Sequence, residues 1–161
     1  MIDLIKSRLN TEQLFYDDKW ITDGNIVLKR DAVNLEEFLK NAIKKEDGCL
    51  TKLLSNIGDY IAIFPLHTIY KNAIYNLDLD YSLIPIEEVK DWYVDSRWFS
   101  KVYDFLYDID NIYVYEYKVG PRIGPILEVK GWANRDDFII GKDAEPIAYI
   151  LGIITERQDE R

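Results

Sequence analysis

The spacing of apolar residues changes along the C-terminal half of the chain. Residues 94–106 place apolar side chains three and four positions apart, which is typical of a helix with one face in the core. Residues 112–119, 124–130 and 147–154 are then short and apolar, and the last is an almost unbroken apolar run. Runs of this kind predict β-strands, the last of them buried. We therefore expect one helix followed by three strands.

A similar change of spacing lies in the N-terminal half. Residues 15–33 alternate around an Asp-Gly pair at 23–24, which predicts two strands joined by a tight turn, since the type I′ turn needs a positive φ at both central residues. Residues 34–37 have the spacing of a helix capping box, and apolar residues recur at helical spacing until the Asp-Gly pair at 47–48. This pattern predicts a helix near residues 34–46.

More strands are predicted at 59–66 and 68–77, and Pro85 favours an edge strand at 82–86 because proline has no amide hydrogen to donate. Residues 131–146 are predicted to form the one long loop. The element order is β-α-β-β-β followed by α-β-β-β. We therefore predict an α+β fold of two helices packed on antiparallel sheet, built from two pseudo-repeated β-α-β-β-β halves.

Composition and charge narrow the class of protein. The 161 residues suffice for one globular domain, expected over residues 1–155, with a polar tail at 156–161. The net charge of −9 opposes nucleic-acid binding by the whole surface but allows a local basic strip. A lone Cys49 and the lack of a long apolar run predict a cytoplasmic protein with no membrane-spanning segment.

Four segments carry a resemblance to a known family. They are WFSKVYDFLYDIDNIYVYEY at 98–117, PILEVK at 125–130, AYILGIITER at 148–157 and KWITDGNIVLK at 19–29. The chain resembles one domain of a DNA sliding clamp, the processivity factor of replicative polymerases. The resemblance implies a non-enzymatic DNA-replication accessory protein with two helices facing duplex DNA. A closed ring would require several copies of this chain, so the resemblance does not imply a ring, and it leaves a homo-oligomer open.

The clamp resemblance implies that basic residues lie opposite the apolar faces of the two helices, where they would contact phosphates. The candidate DNA-binding residues are Lys40, Lys44, Lys45, Arg97 and Lys101. Acidic residues lie near them on both helices, so the alternative is that these lysines and arginines belong to ordinary solvated helix faces.

A protein-protein interaction or inhibitor protein of acidic character is the main alternative function. Its candidate interaction residues are Arg122, at the tip of a Gly-Pro turn, and Phe138 and Ile139, in the long loop. Loops of this length are often functional, and aromatic residues are enriched at protein interfaces.

A metal-dependent nuclease is a further alternative, because Glu128 and Lys130 form the Glu-x-Lys pattern on a predicted strand that such enzymes use to hold a divalent ion and the attacking water. The acid-x-Lys pattern occurs four times in this chain, which makes it uninformative. His67 is the only histidine and has no nucleophile motif beside it. We therefore assign no catalytic residue, metal ligand or cofactor.

Overall fold

The computed structural model describes residues 14–32, 42–64, 74–76, 81–103 and 108–154. In these ranges the strands are β1 (Phe15–Tyr16), β2 (Trp20–Thr22), β3 (Ile26–Lys29), β4 (Ile43–Lys44), β5 (Ile57–Phe64), β6 (Ile74–Asn76), β7 (Tyr81–Pro85), β8 (Trp92–Asp95), β9 (Asp108–Val119), β10 (Arg122–Trp132), β11 (Glu145–Leu151) and β12 (Ile153–Ile154). The helices are α1 (Cys49–Leu54), α2 (Ser96–Tyr103) and α3 (Arg135–Ile139), with a 3-10 turn at Arg30–Ala32.

The strands form two sheets. The larger has the order β4-β1-β2-β3-β11-β10-β9-β5, and the smaller has the order β12-β8-β7-β6. All neighbours are antiparallel except β1 and β4, which are parallel. The α+β class predicted from the sequence is confirmed. The clamp-like repeat of two β-α-β-β-β halves stays a prediction.

The β9–β10 hairpin is the longest pairing in the larger sheet, running from Val119 opposite Arg122 to Asp108 opposite Trp132. Its turn contains Gly120, whose φ of +61° favours glycine because side chains clash there. On one side of these strands and β11, the side chains are fully buried in the core, among them Val114, Leu127 and Ile150. Alternation along each strand sends the intervening residues to the opposite face of the sheet.

Helix α2 packs on both sheets and fills the core with one face. Phe99 and Val102 are fully buried, and the ring of Phe99 lies 6.2 Å from that of Phe64. Asp95 Oδ1 caps the helix by accepting the N–H of Arg97 at 2.9 Å. The helix predicted at 94–106 is thus confirmed over Ser96–Tyr103, and residues 104–107 lie outside the described ranges.

The strand predicted at 147–154 is buried over residues 147–150, whereas Ile154 is exposed, and it is divided between the two sheets. It forms β11 in the larger sheet and, after Gly152, β12 at the edge of the smaller one. A Cβ at Gly152 would lie 2.3 Å from Pro125 Cγ and 2.9 Å from the carbonyl oxygen of Tyr93. Glycine is required here because the backbones of both sheets come too close for any side chain.

The helix predicted near 34–46 is wrong at its C-terminal end. Ile43 and Lys44 form β4, where the amide of Ile43 donates to the carbonyl of Leu14 at 2.9 Å. Gly48, expected to end a helix, instead precedes the first residue of α1 with a φ of +83°. Residues 33–41 lie outside the described ranges. Pairing with β1 overrode the helical spacing, as tertiary contacts commonly do.

Three further expectations are corrected. Strand β7 is not an edge strand, since it lies between β6 and β8, and Pro85 is its last residue. The segment 131–146 is not one loop, because it contains α3 and the ends of β10 and β11. The turn at 23–24 is present but is not type I′, since Gly24 has a positive φ and Asp23 does not. Asp23 Oδ1 accepts the N–H groups of Asn25 and Ile26 instead.

Among the helices of the described ranges, none combines the length and apolar character that a membrane crossing requires.

We predict that Gly152→Ala lowers the free energy of unfolding by about 2 kcal/mol or more, because an added methyl group in a packed core forces backbone or side-chain shifts. Chemical denaturation measures the change. Gly58→Ala is the matched control, since a Cβ there would lie at an ordinary 3.6 Å from Glu116, and it should change stability by less than about 1 kcal/mol. Equal stability of the two variants would contradict the close approach at Gly152.

Candidate functional site

The structure does not bring the predicted DNA-binding residues together on two helix faces. Lys44 and Lys45 are exposed on and just after β4. Arg97 lies on α2, and its Nη2 forms an ion pair with Asp95 Oδ2 at 2.8 Å. Lys40 and the side chain of Lys101 lie outside the described residues. Lys44 therefore belongs to a strand and Lys45 follows it, so neither is on a helix, and Arg97 is bound to a buried carboxylate.

The predicted protein-interaction residues lie at opposite ends of β10. Arg122 is the first residue of β10 and is exposed. Phe138 and Ile139 belong to α3, the helix that follows the end of β10. Ten steps of about 3.3 Å along the strand separate these ends by roughly 33 Å. Helix α3 buries none of its own residues, and the ring of Phe138 packs edge-on against Trp132 at 5.1 Å. These residues are accessible, but they do not form one surface.

Glu128 and Lys130, the candidate nuclease pair, contact tyrosines. Glu128 Oε2 accepts the hydroxyl of Tyr149 at 3.1 Å, and Lys130 Nζ lies 5.6 Å from the centre of the Tyr113 ring. Burial, reinforced by the charge of Glu128, holds the pKa of the Tyr149 hydroxyl well above its usual 10.0. Within the described residues, no three histidine, cysteine or acidic side chains are grouped as a metal would need. This geometry gives no support to metal-dependent cleavage.

Aromatic side chains cover the face of the larger sheet that points away from the core. We call this surface the tyrosine face; its residues are Trp20, Tyr60, Tyr113, Tyr115 and Tyr149. The ring of Tyr60 lies 5.8 Å from that of Tyr115 and 6.2 Å from that of Tyr113. Desolvation, followed by the nearby charge of Glu128, also raises the pKa of Tyr115. Tyr115 and Tyr149 therefore remain neutral at physiological pH.

The tyrosine face ends at β5, an edge of the larger sheet. The register between β5 and β9 shifts on either side of Tyr60. At these shifts the side chains of β5 stop alternating strictly between the two faces of the sheet. Tyr60 consequently opposes Tyr115 while Ile63 opposes Tyr113, so both β5 side chains lie on the tyrosine face. Both are exposed, Tyr60 by 53% and Ile63 by 52%.

Helix α1 lies over the same face of the sheet and is attached to it by hydrogen bonds at both ends. Fully buried Asp17 uses Oδ1 to accept the amides of Lys19 and Trp20, and Oδ2 to accept the amide of Leu50 at 2.9 Å. At the other end, the Tyr117 hydroxyl donates to the carbonyl of Leu53 at 3.1 Å. The helix position is therefore set by polar contacts as well as by packing.

A cavity of about 530 Å³ remains between α1 and the sheet. Its apolar lining comes from α1 and from four strands: Phe15, Val27, Leu50, Leu53, Leu54, Ile126 and Leu151. Lys45 and Lys118 also line it, and none of the acidic residues that the structure describes does. The volume falls within the range of roughly 300–1,000 Å³ that is typical of small-molecule sites. The cavity is thus apolar inside and positively charged at its border.

Sequence reasoning missed both the cavity and the exposed edge. The spacing of Leu50, Leu53 and Leu54 is helical, but the glycine before them had been interpreted as the end of a helix. No local pattern could mark β5 as an edge, because the number of neighbours of a strand depends on distant parts of the chain.

We predict that Asp17→Asn destabilises the protein by about 2–3 kcal/mol, because the amide keeps only one acceptor oxygen and loses the charge that strengthens these hydrogen bonds. Chemical denaturation measures the loss, and thiol labelling of Cys49 on α1 reports the local loosening as faster reaction. Asp18→Asn is the control, since Asp18 is exposed and accepts one amide, that of Gly48. An unchanged stability and labelling rate for Asp17→Asn would contradict its role.

No protein-family model, curated protein or solved structure matches the chain.

Proposed function

We propose that this chain is a non-enzymatic protein-binding module that pairs the edge strand β5 with an extended segment of a partner protein. The observation that carries this proposal is the eight-residue length of β5, which in the described part of the chain has β9 as its sole strand neighbour. An unpaired edge offers amide and carbonyl groups for strand addition, a recurring mode of peptide recognition.

The two edges of the larger sheet differ in a way that favours β5. The opposite edge, β4, has two residues, too few to align a partner strand. Asp59 is the only charged residue of β5, whereas edges that must remain free commonly carry several charges, often lysine. Length and low charge therefore make β5 the stronger site for strand addition.

The side chains beside this edge supply apolar contacts for the partner. Tyr60 and Ile63 point to the tyrosine face, where Tyr113 and Tyr115 support them. Tyrosine suits an interface because it contributes a large, stiff contact area together with a hydroxyl group. Since the chain carries a net charge of −9, electrostatic complementarity favours a basic partner segment.

We predict that Ile63→Lys abolishes binding of peptides selected from a displayed random library against the wild-type protein, because the lysine places a charge at the edge and removes an apolar contact. Ile43→Lys is the matched control: Ile43 is an edge-strand isoleucine of the same 52% exposure at the opposite side of the sheet. Peptide binding is measured by biolayer interferometry. If both variants lost peptide binding equally, or if neither lost it, the result would count against β5 as the binding site.

A clamp-like DNA-binding function is the second candidate, and the observation in its favour is the exposed pair Lys44 and Lys45. Phosphate contacts need accessible ammonium groups, and no carboxylate of the described residues forms an ion pair with either lysine. Lys40 and Lys101 complete the proposed strip. The proposal rests on the resemblance to sliding clamps and on this pair.

If this strip contacts duplex DNA, binding should weaken linearly with the logarithm of salt concentration, by about 0.9 in slope for each phosphate contact. Lys44→Glu should then reduce affinity for all duplex sequences alike, since phosphate contacts carry no base information. Fluorescence anisotropy measures both effects. Arg122→Glu makes the same change of charge at an exposed turn and should have a smaller effect. No binding by the wild-type protein at low salt would exclude this function.

A further inference from the structure

We propose that the cavity beneath α1 binds a free, long-chain carboxylate, with its hydrocarbon tail inside and its carboxylate beside Lys45 at the border. This is a second binding activity, separate from strand addition at β5. It would give the chain a small-molecule ligand of the fatty-acid type.

The apolar lining of the cavity favours a ligand with a hydrocarbon tail. Leu50 and Ile126 are almost fully buried, and together with Val27 and Leu151 they form a continuous apolar wall across α1, β3, β10 and β11. Replacing the water against an apolar surface of this kind with a hydrocarbon chain is favourable, and the gain grows with each methylene group that is buried. The favoured occupant is therefore a hydrocarbon rather than a polar metabolite.

The positive charge at the border of the cavity favours a ligand with a negatively charged group. Lys45 and Lys118 both line the cavity and are exposed to solvent. Lys45 Nζ lies 5.0 Å from the centre of the Phe15 ring, which directs the ammonium group to the apolar wall. Neither lysine has a carboxylate partner among the described residues, although the chain as a whole carries nine more negative than positive charges. Lys118 alternates with Tyr117 along β9, so its side chain points to the sheet face opposite α1, and the ammonium group of Lys45 matches an amphiphile with an anionic head.

The attachment of α1 explains why the cavity does not close. If the helix moved down onto the sheet, the hydrogen bond from the Leu50 amide to Asp17 and that from the Tyr117 hydroxyl to Leu53 would break. Trp20 Nε1 also donates to Thr51 Oγ1 at 3.2 Å, which holds the middle of the helix. Closing the gap would therefore break three hydrogen bonds, one of them to a buried carboxylate.

The test uses the full chain and laurate below the concentration at which it forms micelles. Isothermal titration calorimetry should show saturable binding of one laurate for each chain. Cys49 lines the cavity and is the only cysteine, so its reaction with a thiol reagent should slow as laurate binds. Absence of saturable binding would overturn the proposal, and so would laurate binding that leaves the labelling rate unchanged.

Two sets of variants separate the tail site from the head site. Val27→Phe fills part of the cavity and should weaken laurate and the neutral dodecanol alike. Lys45→Gln should weaken laurate binding by about tenfold or more, which is about 1.4 kcal/mol, and should leave dodecanol binding unaffected. Lys52→Gln, on the exposed side of α1 and outside the lining, is the matched control and should bind as the wild type does.

Circular dichroism establishes that each variant is folded, and the Cys49 protection of the wild type tests the site even if Val27→Phe does not fold. Equal affinity for laurate in the wild type and in Lys45→Gln would overturn the assignment of the head site. Sedimentation with anionic phospholipid vesicles provides the last comparison. Binding to vesicles without binding of free laurate would overturn the proposal, because it would show a membrane-surface interaction in place of a ligand cavity.

Discussion

The architecture depends on the close approach of two sheets at Gly152. Strand β11 lies in the middle of the larger sheet, between β3 and β10. Gly152 follows it directly, and the next residues form β12 at the edge of the smaller sheet. The amide of Gly152 donates to the carbonyl of Pro125 at 2.9 Å, so the crossing occurs in direct contact with β10. This junction holds the sheets close enough for the buried face of α2 to fill the space between them.

On the other face of the larger sheet, the hydrogen bonds of Asp17 fix the position of α1. Burying the carboxylate of Asp17 costs desolvation free energy, which is offset because three backbone amides donate to it. One of these amides belongs to α1, so the helix is fixed at a set height above the sheet. The same contact that satisfies a buried charge therefore keeps a cavity open. Packing alone would favour a smaller gap.

The outer face of the larger sheet thus carries two surfaces suited to binding. The cavity and the tyrosine face share β10, where Ile126 lines the first and Glu128 accepts a hydrogen bond in the second. Glu128 and Lys130 contact tyrosine side chains, and this arrangement suits a rigid contact surface better than it suits bond cleavage. A ligand beneath α1 would lie next to the strand that pairs with β5, because the cavity extends from β1 to β9, where Tyr117 lines it.

The sequence by itself determined the elements whose periodicity is strong and local: α2, the β9–β10 hairpin, the buried β11 and a turn after Thr22. Spacing of 3.6 or 2 residues encodes which face is apolar, and that information does not require distant residues. Only the tertiary structure decided that 147–154 divides at Gly152, that Ile43 and Lys44 join a strand, and that β7 lies inside a sheet. It also decided which strand is an edge and where a cavity remains. These features depend on which distant segments become neighbours. The local spacing of apolar residues contains no information on strand pairing partners or on cavities.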